Sequence, residues 1–351
     1  MPSLSHKFLT GDKMKITEFF RTALVMTSLV ALASVKAQTF EERTLRIGHP
    51  VNTDHPISMG VKKFTEIVAL KTGGKITVKE FPSLALGNEM QQISALAGGI
   101  QEAFAPGTAP VASVVKDFGL LDLPFLVSNS AQADALLDGP FGEALLAKLP
   151  EKGLIGLAFW ENGFRHVTNS KRPINRIEDL DGLKIRVQQN PVFIETFKAL
   201  KTNPVPMSFA ELFGALESKA LDAQENPYLI TRSSRLYEVQ KHLSATSHAY
   251  GVIVFLVSKK FWDKLTPDEQ KILRAAALEA RDYERQVSRL QAKTAIEDLT
   301  NKGMIFNEVK PAETERMRVA TQGVVDKFMQ AYDPATVKLL RSELARVKNL
   351  K

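Results

Sequence analysis

The sequence predicts an α/β fold, a sheet with helices packed on its faces, and three features predict it. Strand-like and helix-like patterns alternate from residue 44, the same style resumes at 154, and a charged stretch from 268 runs without Gly or Pro until Gly303. Strands and helices that alternate along a chain bury their apolar faces against one another, which builds such a sheet. A chain of 351 residues is expected to form two domains, each large enough for its own core.

The elements follow in order. Residues 44–49 alternate as a strand, with Leu45 and Ile47 on one face. Asp54 and Pro56 open a helix whose Ile57, Val61, Phe64 and Val68 recur at helical spacing, and Gly73-Gly74 stops it. Residues 75–81 form a second strand, and Asn88 caps a second helix carrying Met90, Ile93 and Leu96. Residues 154–160 make an apolar strand, and Asn162-Gly163 reads as a tight turn into another strand at 165–169. After Asp181-Gly182 the strand 183–188 puts Leu183, Ile185 and Val187 on one face and Lys184, Arg186 and Gln188 on the other. A helix at 191–200, a further helix from Phe209, a short strand at 220–226 and a continuous apolar strand at 251–257 follow. Thr266-Pro267-Asp268-Glu269 is a capping box with Pro at the first helical position. The helix it opens would run roughly 50 Å at 1.5 Å per residue, longer than one domain is wide, so it reads as a brace across two lobes. Pro311 and Asp333-Pro334 begin two shorter helices.

The first residues read differently. Lys15 and Arg21 precede an uncharged apolar run at 22–35, and Val35-Lys36-Ala37 supplies a cleavage site. That is the pattern of a secretory signal peptide, with the cut expected after Ala37 and the protein exported to the periplasm. Met14 reads as the natural start, which would put residues 1–13 outside the native chain. The leader holds five Lys or Arg and two Asp or Glu; removing that excess of three from the formal charge of +7 leaves +4. So small an excess is no nucleic-acid signature. There is no Cys, hence no disulfide or thiolate chemistry, and the six His are scattered without metal-ligand spacing. No nucleophile elbow, zinc-protease helix or phosphate loop occurs, and Lys71-Thr-Gly-Gly-Lys75 reads as a helix stop. No metal or cofactor is expected.

Arg186 stands out. A carboxylate is matched by a planar, permanently charged fork, which guanidinium offers. An Arg at an inward strand position has either an anion to meet or an internal carboxylate to pair with, and the strand alone leaves both open.

Six segments decide between them by resemblance: Phe81-Pro-Ser-Leu-Ala-Leu-Gly-Asn-Glu89, Trp160-Glu-Asn-Gly-Phe-Arg-His166, Asp181-Gly-Leu-Lys-Ile-Arg-Val187, Pro204-Val-Pro-Met-Ser-Phe-Ala-Glu211, Leu221-Asp-Ala-Gln-Glu-Asn-Pro227 and Tyr237-Glu-Val-Gln-Lys241. In this order and spacing they resemble the dicarboxylate-binding type of solute-binding subunit of TRAP (tripartite ATP-independent periplasmic) transporters, over nearly the whole mature chain. The resemblance implies two α/β lobes joined by hinge strands near 160–162 and 250–252, with the long helix spanning both. Lobe I would take residues 38–161 with 252–290 returning to it, lobe II 162–251, the spanning helix 267–302, and the C-terminal helices 303–351.

It implies no enzyme but a monomeric binding protein that captures a small organic acid anion, a dicarboxylate or hydroxy acid of four to six carbons, and delivers it to small and large membrane subunits. Arg186 matches the family's carboxylate clamp, Arg165 a second Arg aimed at the ligand, and Asn226 the binding Asn. Glu89 matches an acidic position of the first lobe, and Phe209 an aromatic packed on the solute. Trp160, His49 and Tyr250 are further pocket candidates. The chain departs from the family at Ala223 and at Lys201-Thr202, where Gly is common, so positive φ is not expected there. Pro106-Gly-Thr-Ala-Pro110 lacks the polar side chains of the sialic-acid branch and favours a smaller ligand. The alternatives are an exported hydrolase or isomerase using Asp222, Glu225 and Arg186 on an acidic substrate, or a binding protein serving a sensor or an ABC-type importer.

Overall fold

The computed structural model describes residues 40–351. The expected leader and its cleavage site lie outside the described residues. Nine strands form one mixed sheet: β1 (Arg43–Gly48), β2 (Ile76–Phe81), β3 (Ala103–Phe104), β4 (Leu154–Asn169), β5 (Lys184–Val187), β6 (Asn203–Pro206), β7 (Ala223–Asn226), β8 (His242–Ser258) and β9 (Ile305–Glu308). Their order is β2-β1-β3-β8-β4-β7-β5-β6, with β9 added beside β8. At one end β1 pairs in parallel with β2 and β3, and at the other β5 pairs in parallel with β6 and β7. Two long antiparallel strands, β4 and β8, join the ends and pair along most of their length, from Leu154↔Ser258 to Asn169↔His242.

The tight turn expected at Asn162-Gly163 is not one. The chain runs straight through as a single 16-residue strand, and the register instead shifts between Glu161 and Gly163, opposite Val252 and Gly251. A bulge lets one strand carry an extra residue, and Gly163 accommodates it at φ +103°. Lys201 also differs from expectation. It adopts φ +59° where the family's usual Gly would sit, straight after the helix Pro191–Ala199. The left-handed conformation costs an L-residue roughly 1–2 kcal/mol.

The three largest of five apolar clusters among the described residues pack as follows. One gathers Leu45, Ile47, Val61 and Phe64 with Ala276, Ala277 and Ala280 of the long helix Pro267–Asn301. A second surrounds Phe118, Phe141 and Phe159, and a third holds Ile185, Val187, Phe193 and Phe197. The long helix begins as its capping box dictates, with Thr266 and Glu269 exchanging hydrogen bonds. Its middle grips the bulge. Glu284 Oε2 accepts from Glu161 N at 2.9 Å, Arg285 Nη2 donates to Phe159 O at 3.0 Å, and Arg289 Nε donates to Glu161 Oε2 at 2.7 Å. Farther along, Asp298 takes Arg232 of the helix Tyr228–Ser233 at 2.9 Å, and Leu299 packs on Leu243. The brace therefore packs on elements to both sides of the bulge.

Candidate functional site

A cavity of about 40 Å³ lies where the two halves of the sheet face each other, at the bulge. Glu89, Gly107 and Pro110 line it from one side, and Arg186, Gln188 and Phe209 from the other. Arg165, Asn226 and Asn162 complete its wall.

Strand alternation puts Arg186 here, with Ile185 and Val187 turned into the apolar core. Its side chain is 3% exposed, and its Nε and Nη2 both donate to Met207 O, at 3.0 and 2.8 Å. Among the described residues no carboxylate comes within ion-pair distance, and Nη1 has no protein partner. Burial lowers its pKa to about 10, only partly opposed by the charges of Glu225 and Glu89. The Phe209 ring lies 5.8 Å from its guanidinium carbon.

Arg165 is at the cavity too, but its charge is matched. Nε donates to Glu225 Oε2 at 2.5 Å, while Nη2 donates to Glu225 Oε1 at 2.8 Å and to Asn226 Oδ1 at 3.0 Å. His248 Nε2 reaches the same carboxylate at 3.1 Å. Burial pushes the Glu225 carboxyl up, but the Arg165 charge and the hydrogen bonds from His248 and Arg165 outweigh it and hold the pKa at about 2. The amide of Asn226 is used on both sides, since its Nδ2 donates to Gln224 Oε1 at 2.6 Å. Glu89 spans the gap: its Oε2 accepts from Ser208 Oγ at 2.5 Å and its Oε1 from Phe209 N at 3.0 Å. It thereby caps the helix Phe209–Glu217 from across the cavity, a favourable place for a negative charge.

Three expected pocket residues do not line the cavity. Trp160 is fully buried against Phe255, and its Nε1 donates to Ala277 O at 3.3 Å. His49 is equally buried and bonded to Glu80 at 2.9 Å. Tyr250 packs edge-on against Phe164 in the apolar core. Tyr250 alternates away from Ala249, the strand partner of Arg165, whereas Trp160 lies opposite the cavity-lining Ile253 but packs onto the long helix, and His49 follows the end of β1. Asp222 also lies apart, taken up by Lys184 N at 3.1 Å and Lys171 Nζ at 3.2 Å, so the acid–base set of the enzyme alternative does not assemble around Arg186. Gln188 and Asn162 were missed. Gln188 could have been found, because it is two residues beyond Arg186 on the same strand face. Among the described residues no group of three or more His, Asp or Glu is placed to hold a metal ion.

Residues 47–331 match the family model described as bacterial extracellular solute-binding protein, family 7. The 2,3-diketo-L-gulonate-binding periplasmic protein YiaO of Escherichia coli is 37% identical over 276 residues, 79% of this chain and 84% of that protein. Among solved structures, the sugar acid binding protein DctPAm of Advenella mimigardefordensis in complex with galactonate has a TM-score of 0.85 at 39% identity, covering 88% of this chain and 99% of its own. A TRAP periplasmic solute-binding protein of a Polaromonas species bound to D-erythronate has a TM-score of 0.82 at 36% identity, covering 85% and 98%.

Proposed function

The chain belongs to bacterial extracellular solute-binding protein family 7, and from that premise we propose that it captures a small organic acid anion in the periplasm for uptake by a TRAP transporter. The observation that carries this reading is Arg186. A buried charge is ordinarily paired, because removal from water costs several kcal/mol. Here the guanidinium is buried at the mouth of a cleft and meets only a backbone carbonyl, so a carboxylate entering the cleft completes it. Arg165 adds a second donor face without adding net charge, since Glu225 cancels it.

The cavity is too small for a solute of four to six carbons to pass in or out with the halves in contact. Entry therefore requires the lobes to part at the β4–β8 bulge, and Glu89 returns to Ser208 and Phe209 when they meet. Closing over the anion excludes water and strengthens its ion pair. The membrane subunits would read the closed form, and the protein itself would perform no chemistry on its cargo.

The test is a thermal-shift screen of the purified protein against organic acids, followed by calorimetry and by NMR of the recovered ligand. A native-state ligand raises the melting temperature, and the acid should come back unaltered. A bound acid that is converted would replace the transport reading with the hydrolase or isomerase one. Uptake on reconstitution with TRAP membrane subunits would separate transport from sensing.

A further inference from the structure

The carboxylate reading of the cleft accounts for one end of the solute, and the remaining wall bears on the other end. Charge comes first. Of the ionised side chains at the cavity, Arg165 is matched by Glu225, and Glu89 presents a carboxylate. That leaves Arg186 as the one cation of this wall without a carboxylate partner among the described residues. A solute with two carboxylates would bring its second to a surface that offers no unmatched cation and already carries Glu89.

Hydrogen bonding points the same way. Asn226 is used on both sides of its amide, and both oxygens of Glu89 are occupied. Two amides at the cavity remain. Gln188 makes no side-chain hydrogen bond among the described residues, and its Oε1 faces Gly107 of the opposite half, 3.4 Å from where a Cβ there would lie. Asn162, in the bulge itself, is 9% exposed, and its buried Oδ1 has no partner. An amide both donates and accepts, as a hydroxyl does, whereas a carboxylate only accepts. Asn162 is buried and Gln188 half-buried, and an amide left unmatched when a solute fills the cleft is costly, so it selects for a solute group that satisfies both roles.

Resting on the carboxylate reading above, we infer that the solute is a polyhydroxy monocarboxylate: its one carboxylate sits on Arg186, and Gln188 and Asn162 read its hydroxyls. These two amides are then the specificity determinants against dicarboxylates of the same length.

Calorimetry with two pairs matched in carbon number tests this, D-erythronate against succinate and galactonate against adipate. At least one hydroxy acid should bind about tenfold or more tighter than its matched diacid. Gln188→Leu should weaken the hydroxy acid about tenfold while leaving the weak diacid affinity unmoved, so the ratio collapses. Asn162 supplies a second variant, Asn162→Leu, with the same signature if Gln188→Leu fails to fold. Because a purely structural role would weaken both members of a pair alike, the ratio is the readout. A diacid that binds as tightly as its hydroxy partner, or a ratio unchanged in both variants, would overturn the inference and leave the transport function standing. No binding by any acid of the set or of a wider organic-acid panel would remove both together.

Discussion

Arg186→Met keeps the length of the side chain and removes its charge, and the structure sets what should follow. The guanidinium is buried, with a pKa depressed to about 10, so at neutral pH its charged form is less comfortable folded than unfolded. At about 1.4 kcal/mol per pKa unit, holding that charge costs the unliganded protein about 3 kcal/mol. The substitution relieves this cost but strips Met207 O of both donors, which takes back about 1–3 kcal/mol. The two nearly cancel, and the melting temperature of the unliganded variant should stay within about 5 °C of wild type. Binding should not survive. Removing one partner of a buried charge pair costs about 2–5 kcal/mol, a loss of roughly 30- to 4,000-fold in Kd. Calorimetry with D-erythronate and with succinate, beside thermal melts of both proteins, reads the two quantities separately. An acid bound equally well by the variant would refute the clamp, and collapse of the unliganded fold would refute the burial argument.

Two further substitutions probe buried carboxylates. The pKa of Glu225 is held at about 2 against about 4.3 in the unfolded chain, so its contribution is present above pH 4.3 and is lost as pH falls toward 2. Glu225→Gln leaves Arg165 uncompensated and should cost about 3–5 kcal/mol in urea unfolding at pH 7, with the gap to wild type closing below pH 4. Glu284 is shifted the other way, because burial in the long helix drives its pKa well up and Glu161 N is its one hydrogen-bond donor among the described residues. A carboxyl raised in the folded state contributes fully below its unfolded pKa and loses that contribution as pH rises. Glu284→Gln keeps an acceptor for Glu161 N and should melt higher than wild type at pH 8 but level with it at pH 4; a lower melting point at pH 8 would contradict the assignment.

Much of this was legible along the chain because it is local. The Thr266 capping box, the Asn88 cap and the alternation that turns Arg186 away from Ile185 and Val187 each lie within a few residues, and each formed as read. What failed is non-local. Asn162-Gly163 looks like a turn until β8 is present to pair on both sides of it, and then the same Gly serves a bulge. Arg165 finds its carboxylate 60 residues away, and no spacing rule reaches that far. Trp160, His49 and Tyr250 were further pocket candidates, but a place in the sequence does not say what a side chain packs against. Short elements with weak patterns, such as β3 and β9, exist only because a neighbouring strand edge recruits them.

The bulge has one more consequence. Three lengths of backbone run from one half of the molecule to the other, and two of them are laced together as neighbouring strands while the third is clamped to their crossing point by Glu284, Arg285 and Arg289. Such an arrangement resists twisting and sliding, for either would tear ladder rungs on both sides of the crossing. The ladder between β4 and β8 is already out of step at three places, between Gly156 and Ala158, Glu161 and Gly163, and Arg165 and Val167, so it offers least resistance to bending there. The side chains that line the cleft and the backbone that forms the crossing are thus different sets of atoms, so the lining can vary without altering the crossing.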